Sequence, residues 1–154
     1  MTEMRVMTVK QPWAWAIVEG GKDVENRVRN IAGEYRGLVA IHAGLGWSEQ
    51  GSYDWEVRRA TRSVELGYQA GDSQTWAADS VEPEDPRFTR GAIIGVADLV
   101  GVNKLSASKW ALQDHWHLEL ANPVTLAKPI PFTGALGLRR LDPANIARIE
   151  GELK

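Results

Sequence analysis

Hydrophobic positions along this chain recur mostly with a period of two, broken by short stretches with a period near 3.6. That pattern predicts short strands flanked by small helices. Residues 4–9 alternate as a first strand does. Pro12 suits the first turn of a helix, where its missing N–H costs nothing. Trp13, Ala16 and Ile17 follow at helical spacing, so a short helix runs to about Glu19. A strand over roughly 23–29 comes next, then a turn around Gly33 and a strand over 38–43 whose nearly continuous apolar run suits burial on both faces. Residues 92–100 carry the clearest strand pattern of all. A short helix capped by Ser106 is expected over 105–112, and a strand over 116–120 with Trp116, Leu118 and Leu120 on one face. A further strand at 124–126 is ended by Pro129 and Pro131, which fit only at a sheet edge. Residues 136–141 are expected to close the sheet. Asp142 then caps a last helix opened by Pro143, with Ile146, Ile149 and Leu153 inward. The fold class predicted is α+β: a small, mostly antiparallel β-barrel with flanking short helices.

The middle of the chain has a different texture. Residues 52–66 are charged and predict an amphipathic helix with Tyr53, Val57, Ala60 and Val64 on one stripe. After Gly67 the chain to Pro86 is polar and acidic, the pattern of a loop or mobile lid. Arg58, Arg59 and Arg62 make a basic cluster on the helix, in which Arg58 and Arg62 share a face and Glu56 and Glu65 are at hand to pair with them.

At 154 residues, 44% hydrophobic and 25% charged, the composition is that of one soluble globular domain with a core of its own. No apolar run approaches the roughly 18–20 residues of a membrane span, and no secretion signal is visible. The chain has no cysteine, so disulfides and thiolate zinc sites are excluded, and a cytoplasmic location is expected. The formal net charge of −2 disfavours a coat for long nucleic acid, which needs a basic excess. A nucleoside pocket makes no such demand, because recognition there rests on stacking and base-edge hydrogen bonds.

The candidate chemistry lies in 20–27, Gly-Gly-Lys-Asp-Val-Glu-Asn-Arg. The glycines let the chain leave the helix through a left-handed turn. On the strand beyond, a period of two sets Glu25, Arg27 and Arg29 on one face and Val24, Asn26 and Val28 on the other, with Lys22 at its mouth. A few placed charges on a rigid element are what a small polar ligand needs. The alternative is a solvated edge strand carrying a weak ion pair. Lys22 and Glu25 are the candidate catalytic pair, since a lysine whose pKa is brought toward neutrality can act as a base. Arg27 can hold a carbonyl or phosphate by paired hydrogen bonds.

Gly20-x-Lys22-x-x-Glu25-x-Arg27, preceded by Gln11-Pro12-Trp13-Ala14, resembles the signature of the ASCH domain, a branch of the PUA-like superfamily. The likeness continues through residues 35–43, 90–97, 116–118 and 129–134. It implies a single ASCH domain over 1–154, with an inserted helix and loop at about 48–87 relative to compact members, and a cleft lined by the signature residues. It also implies binding of RNA or modified nucleosides, and hydrolysis in some members. Compact relatives that resemble amidohydrolases of acetylated cytidine carry a threonine where this chain has Glu25, so the proposed hydroxyl nucleophile is missing here. Their distant glutamate has no clear counterpart, Asp114 being merely in the right region.

The ligand-binding candidates are Arg27, Trp13 as a cleft wall, Gln11 from the block before the signature, and His42, which ends the neighbouring strand. His42, His115 and His117 could make a three-histidine metal site, but ordinary structural roles outweigh it, and neither metal nor cofactor is expected. The expected ligand is RNA or a nucleoside or nucleotide, with no membrane partner. Two functions stay open: a binding module with a regulatory role in transcription or RNA processing, or a hydrolase of an N4-acylated cytidine amide or an RNA phosphodiester.

Overall fold

The computed structural model describes residues 3–67, 79–134 and 136–153. Ten elements are arranged as β1 (Arg5–Gln11), α1 (Trp13–Glu19), β2 (Val24–Arg27), β3 (Gly37–Trp47), α2 (Glu49–Tyr53), α3 (Trp55–Glu65), β4 (Ala92–Asn103), β5 (Trp116–Pro131), β6 (Leu138–Arg140) and α4 (Pro143–Glu152). The strands form one six-stranded sheet in the order β2-β5-β4-β3-β1-β6. Only β1 and β3 pair in parallel; the other pairings are antiparallel. This is a mixed α+β fold. The sheet stays open, with β2 and β6 at its two edges, so the expected closure by residues 136–141 is replaced by a short edge pairing of β6 on β1.

The sheet is covered on both faces, which explains the continuous apolar run of β3. Val39 and Ile41 join a cluster with α1 residues Ile17 and Val18, while Ala40 joins Ile146 and Ile149 of α4. On β4, Ile94 faces the α1 side and Ile93 the α4 side, as a period of two dictates. Helix α1 approaches the sheet closely at Gly95, where a Cβ would stand 2.5 Å from Val18 Cγ1 and 2.7 Å from the Val124 carbonyl oxygen.

Several local expectations are corrected. The strands expected at 116–120 and 124–126 are one strand, β5, which absorbs irregularities in its pairing with β4 and turns through a positive φ at Asn122. Its prolines fit because β2 pairs only with its first residues, leaving the later edge without a strand neighbour. No helix forms over 105–112. Ser106 N donates to His117 Nδ1 and Leu112 N to Asn26 Oδ1, so side chains rather than a helical ladder satisfy that loop. The helix expected over 52–66 is two helices broken at Asp54, whose carboxylate caps α3 by accepting from Val57 N at 3.0 Å. Val57 and Ala60 are buried as expected, but Tyr53 and Val64 are exposed. Residues 68–78 of the expected polar lid lie outside the described residues. The stretch that follows is docked: Val81 N donates to Ser52 O, Val81 and Phe88 are buried, and Arg87 pairs with Glu65 at 2.7 Å.

Candidate functional site

The chain leaves α1 through Gly21, whose φ of 80° only glycine adopts without strain, and Lys22 N turns back to bond Ala16 O at 2.9 Å. This sends the lysine side chain inward, and Lys22 is 4% exposed. Its ammonium donates to Val24 O and lies 3.3 Å from Glu25 Oε1. The other Glu25 oxygen accepts from Arg27 Nε at 2.9 Å, and Arg27 Nη2 donates to Thr8 O at 2.9 Å. One carboxylate thus bridges two cations, and the second cation is anchored to β1. Burial holds the Lys22 pKa below its ordinary value, and Arg27 adds to this, while Glu25 and Asp54 pull the other way.

Lys22 stands at a cavity of about 240 Å³ bordered by Trp13, Glu25, Asn26, Asp54, Glu56, Lys109 and Trp110. The Trp13 ring lies 5.5 Å from the Lys22 ammonium. Its indole N–H donates to Ser48 Oγ at 3.0 Å, and the same hydroxyl caps α2 by accepting from Gly51 N. Trp110 closes another side, held by Asn26 Nδ2, which donates to Trp110 O at 2.9 Å. Among the described residues the buried Trp110 indole N–H has no hydrogen-bond partner, an uncompensated donor beside the cavity. Three carboxylates and two ammonium groups line the cleft, so its charge is mixed and leans acidic.

The expected site residues do not all meet there. Arg27 lies beyond Glu25 and opens onto an adjoining shallow groove with Lys10, Thr8, Trp13 and Ser48. Trp13 and Glu25 form the wall between groove and cleft. Asn26, assigned by strand period to the opposite face, lines the cleft as well. Gln11 is fully buried and committed to the protein: Nε2 donates to Thr89 O at 2.8 Å and Oε1 accepts from Trp15 N at 2.8 Å. It fixes the start of α1 and does not border the cleft.

His42 lies in a separate, open groove of about 680 Å³ beside α4, with Gly134, Asn145 and Arg148. Its Nε2 is 2.8 Å from Phe132 O and its Nδ1 2.9 Å from Thr8 Oγ1. A carbonyl only accepts, so Nε2 carries the proton and Nδ1 accepts from the threonine hydroxyl. Burial lowers the His42 pKa, which favours this neutral form. His115 borders the Lys22 cleft, whereas His117 is buried and braces the 106–112 loop through both ring nitrogens. Among the described residues no group of three or more His, Asp or Glu side chains could hold a metal ion.

Asp54, Glu56 and Lys109 border the cleft without having been singled out for it in the sequence. The helical pattern of 52–66 hid the first two, because it runs straight through the break at Asp54. A cap residue in mid-pattern was the available signal.

No protein-family model matches the chain, and no curated protein sequence matches it. Its fold is similar to that of ZmASCH from Zymomonas mobilis, seen in a crystal structure of a mutant protein. The TM-score is 0.54 and the identity 14%, with 99% of this chain and 100% of that chain covered. The chain has an ASCH-type fold. At this identity the likeness is one of architecture, and the mixed sheet with short helices agrees with it. No described helix is long and apolar enough to cross a membrane.

Proposed function

We propose that the ASCH-type cleft at Lys22 binds a base or modified nucleoside, alone or within RNA, as a binding module. The observation that carries this reading is the pairing of a buried, hydrogen-bonding lysine with two tryptophan walls in one small cavity. Aromatic walls suit a flat heterocycle, and a few oriented polar groups select its edge. At about 240 Å³ the cavity falls below the roughly 300–1,000 Å³ of drug-sized sites, which favours one base over several. Its carboxylates would repel phosphate, but the adjoining groove offers Arg27 and the exposed Lys10. Base in the cleft and phosphate in the groove is the arrangement these charges favour. Titration calorimetry with the four ribonucleosides, N4-acetylcytidine and short RNAs tests the reading; failure of all of them to bind would overturn it.

Hydrolysis is the second reading, and the lowered Lys22 pKa favours it, because a larger fraction of the amine is then free to accept a proton. On this reading Lys22 is the general base and Glu25 orients it. Incubation with N4-acylated cytidines and with RNA, followed by chromatography for product, decides between binding and turnover.

A further inference from the structure

The parallel register of β1 and β3 sets Thr8 directly beside His42. Paired residues of neighbouring strands project from one face of a sheet, so the strand pairing itself brings the hydroxyl to the imidazole. Thr8 Oγ1 lies 2.9 Å from His42 Nδ1, and His42 Nε2 lies 2.8 Å from Phe132 O. The carbonyl fixes the ring proton on Nε2. Nδ1 is then a lone pair, and the threonine hydroxyl must donate to it. A hydroxyl bonded to a base, with the base oriented by a third group, is the arrangement that activates a nucleophile for acyl transfer. Both side chains stand on paired strands inside the sheet, which hold such geometry more tightly than a loop does.

The pair borders the groove beside α4, which shares no bordering residue with the Lys22 cleft. His42 is buried, whereas Thr8 is partly exposed, so the base is shielded and the nucleophile is the more accessible of the two. Gly134 also borders the groove. A Cβ there would stand 2.7 Å from Thr8 Oγ1 and 2.8 Å from His42 Cε1, so a side chain at this position would lie against the reacting atoms. Burial lowers the His42 pKa and keeps the ring in the form that accepts a proton. The bond to Phe132 O pulls the other way and steadies the imidazolium once it forms. Arg148 is exposed at the same groove and, among the described residues, has no hydrogen bond or ion pair. Its charge is therefore at hand for an oxyanion. Leu45, also at the groove and 79% exposed, offers apolar surface to an acyl chain.

We propose that Thr8 and His42 are the nucleophile and base of a second site, an esterase centre for small carboxylic esters, independent of the Lys22 cleft. Thr8 Oγ1 attacks the acyl carbon as its proton passes to His42 Nδ1, and the carbonyl electron pair moves onto oxygen beside Arg148. Collapse of this intermediate breaks the bond to the alcohol oxygen, which leaves with the proton from Nδ1. Water then attacks the Thr8 acyl ester and gives its proton to Nδ1. The second collapse releases the carboxylic acid and returns a proton to Oγ1.

The test has two readouts: turnover of p-nitrophenyl acetate and butyrate, and labelling by an alkyl fluorophosphonate followed by peptide mapping. In the second, Oγ1 forms a bond to phosphorus, fluoride leaves, and His42 takes the proton. The parent should hydrolyse at least one ester above the buffer rate and carry the label on Thr8. Thr8→Val keeps the shape without the hydroxyl, and His42→Gln removes the base. Each should lose turnover by about a hundredfold or more, the scale of a lost general base, and lose the label. Thr8→Ser should retain both, and Arg148→Gln should lower kcat more than it raises KM. Equal turnover by parent and Thr8→Val overturns the proposal, as does a label on any residue other than Thr8. A parent that neither hydrolyses an ester nor takes the label overturns it too. Melting curves check that Thr8→Val and His42→Gln fold, and the mapped label on the parent decides the matter even if either does not.

Discussion

Glu25 holds Lys22 at 3.3 Å with one carboxylate oxygen and Arg27 at 2.9 Å with the other, while the lysine is almost wholly removed from solvent. The lysine and the carboxylate are therefore not equivalent partners. Glu25 neutralises two cations, whereas Lys22 is the one that burial penalises. A buried pair gives weak grounds for stability in itself, but breaking it from the wrong side leaves charge uncompensated.

Replacing Lys22 by Met keeps the aliphatic stem and removes the desolvated ammonium, and Glu25 still has Arg27. The melting temperature is expected to stay within about 4 °C of the parent, the equivalent of about 1 kcal/mol for a chain of this size. Affinity for a nucleoside that the parent binds should fall at least about tenfold, or 1.4 kcal/mol. If turnover is found, it should fall further than affinity, since a base acts in the transition state. Unchanged binding in calorimetry would take Lys22 out of the site.

Glu25→Leu should behave differently. It leaves Lys22 and Arg27 facing each other without the carboxylate, and loss of one partner from a buried pair costs about 3–5 kcal/mol. Urea denaturation should show a clearly larger loss than for Lys22→Met. The double variant should recover part of it, because the uncompensated lysine is gone. A Glu25→Leu protein as stable as Lys22→Met would mean that solvent reaches the pair.

The pH dependence follows from burial. Lys22 has a folded-state pKa below the unfolded value of about 10.5, so between those two values the unfolded chain binds the extra proton. Its destabilising contribution is complete below the folded pKa and fades as pH rises toward 10.5. Stability of the parent relative to Lys22→Met should therefore rise through that alkaline window. Melting curves of both proteins at intervals from pH 7 to 10.5 measure the difference; a fall would mean that Glu25 outweighs desolvation and raises the lysine instead.

At Gly95 the obstacle is packing. A Cβ would meet a backbone oxygen at 2.7 Å as well as Val18, and backbone cannot rotate aside. Gly95→Ala should cost about 1–3 kcal/mol by pushing α1 off the sheet. Since Lys22 N is tied to Ala16 O at the end of that helix, nucleoside affinity should fall with it. A neutral effect on both, by denaturation and calorimetry, would mean that α1 sits further from β4.

Much of this protein was determined by the sequence alone. The α+β class, the central strands β3 and β4, the short helix α1 and the Asp142-capped α4 follow from local periodicity and capping, which the chain carries within a few residues. The turn at Gly21 and the closeness of Lys22, Glu25 and Arg27 were legible for the same reason: they span six positions. Tertiary structure decided which of them face one cavity. It set Arg27 behind Glu25, buried Gln11, carried His42 to a separate groove, and brought Asp54, Lys109 and Trp110 from distant segments to the lysine. It also left the sheet open and joined two expected strands into β5. Period and propensity are properties of neighbouring residues. The walls of a cavity and the edges of a sheet are set by which distant segments pack together, and no spacing along the chain encodes that.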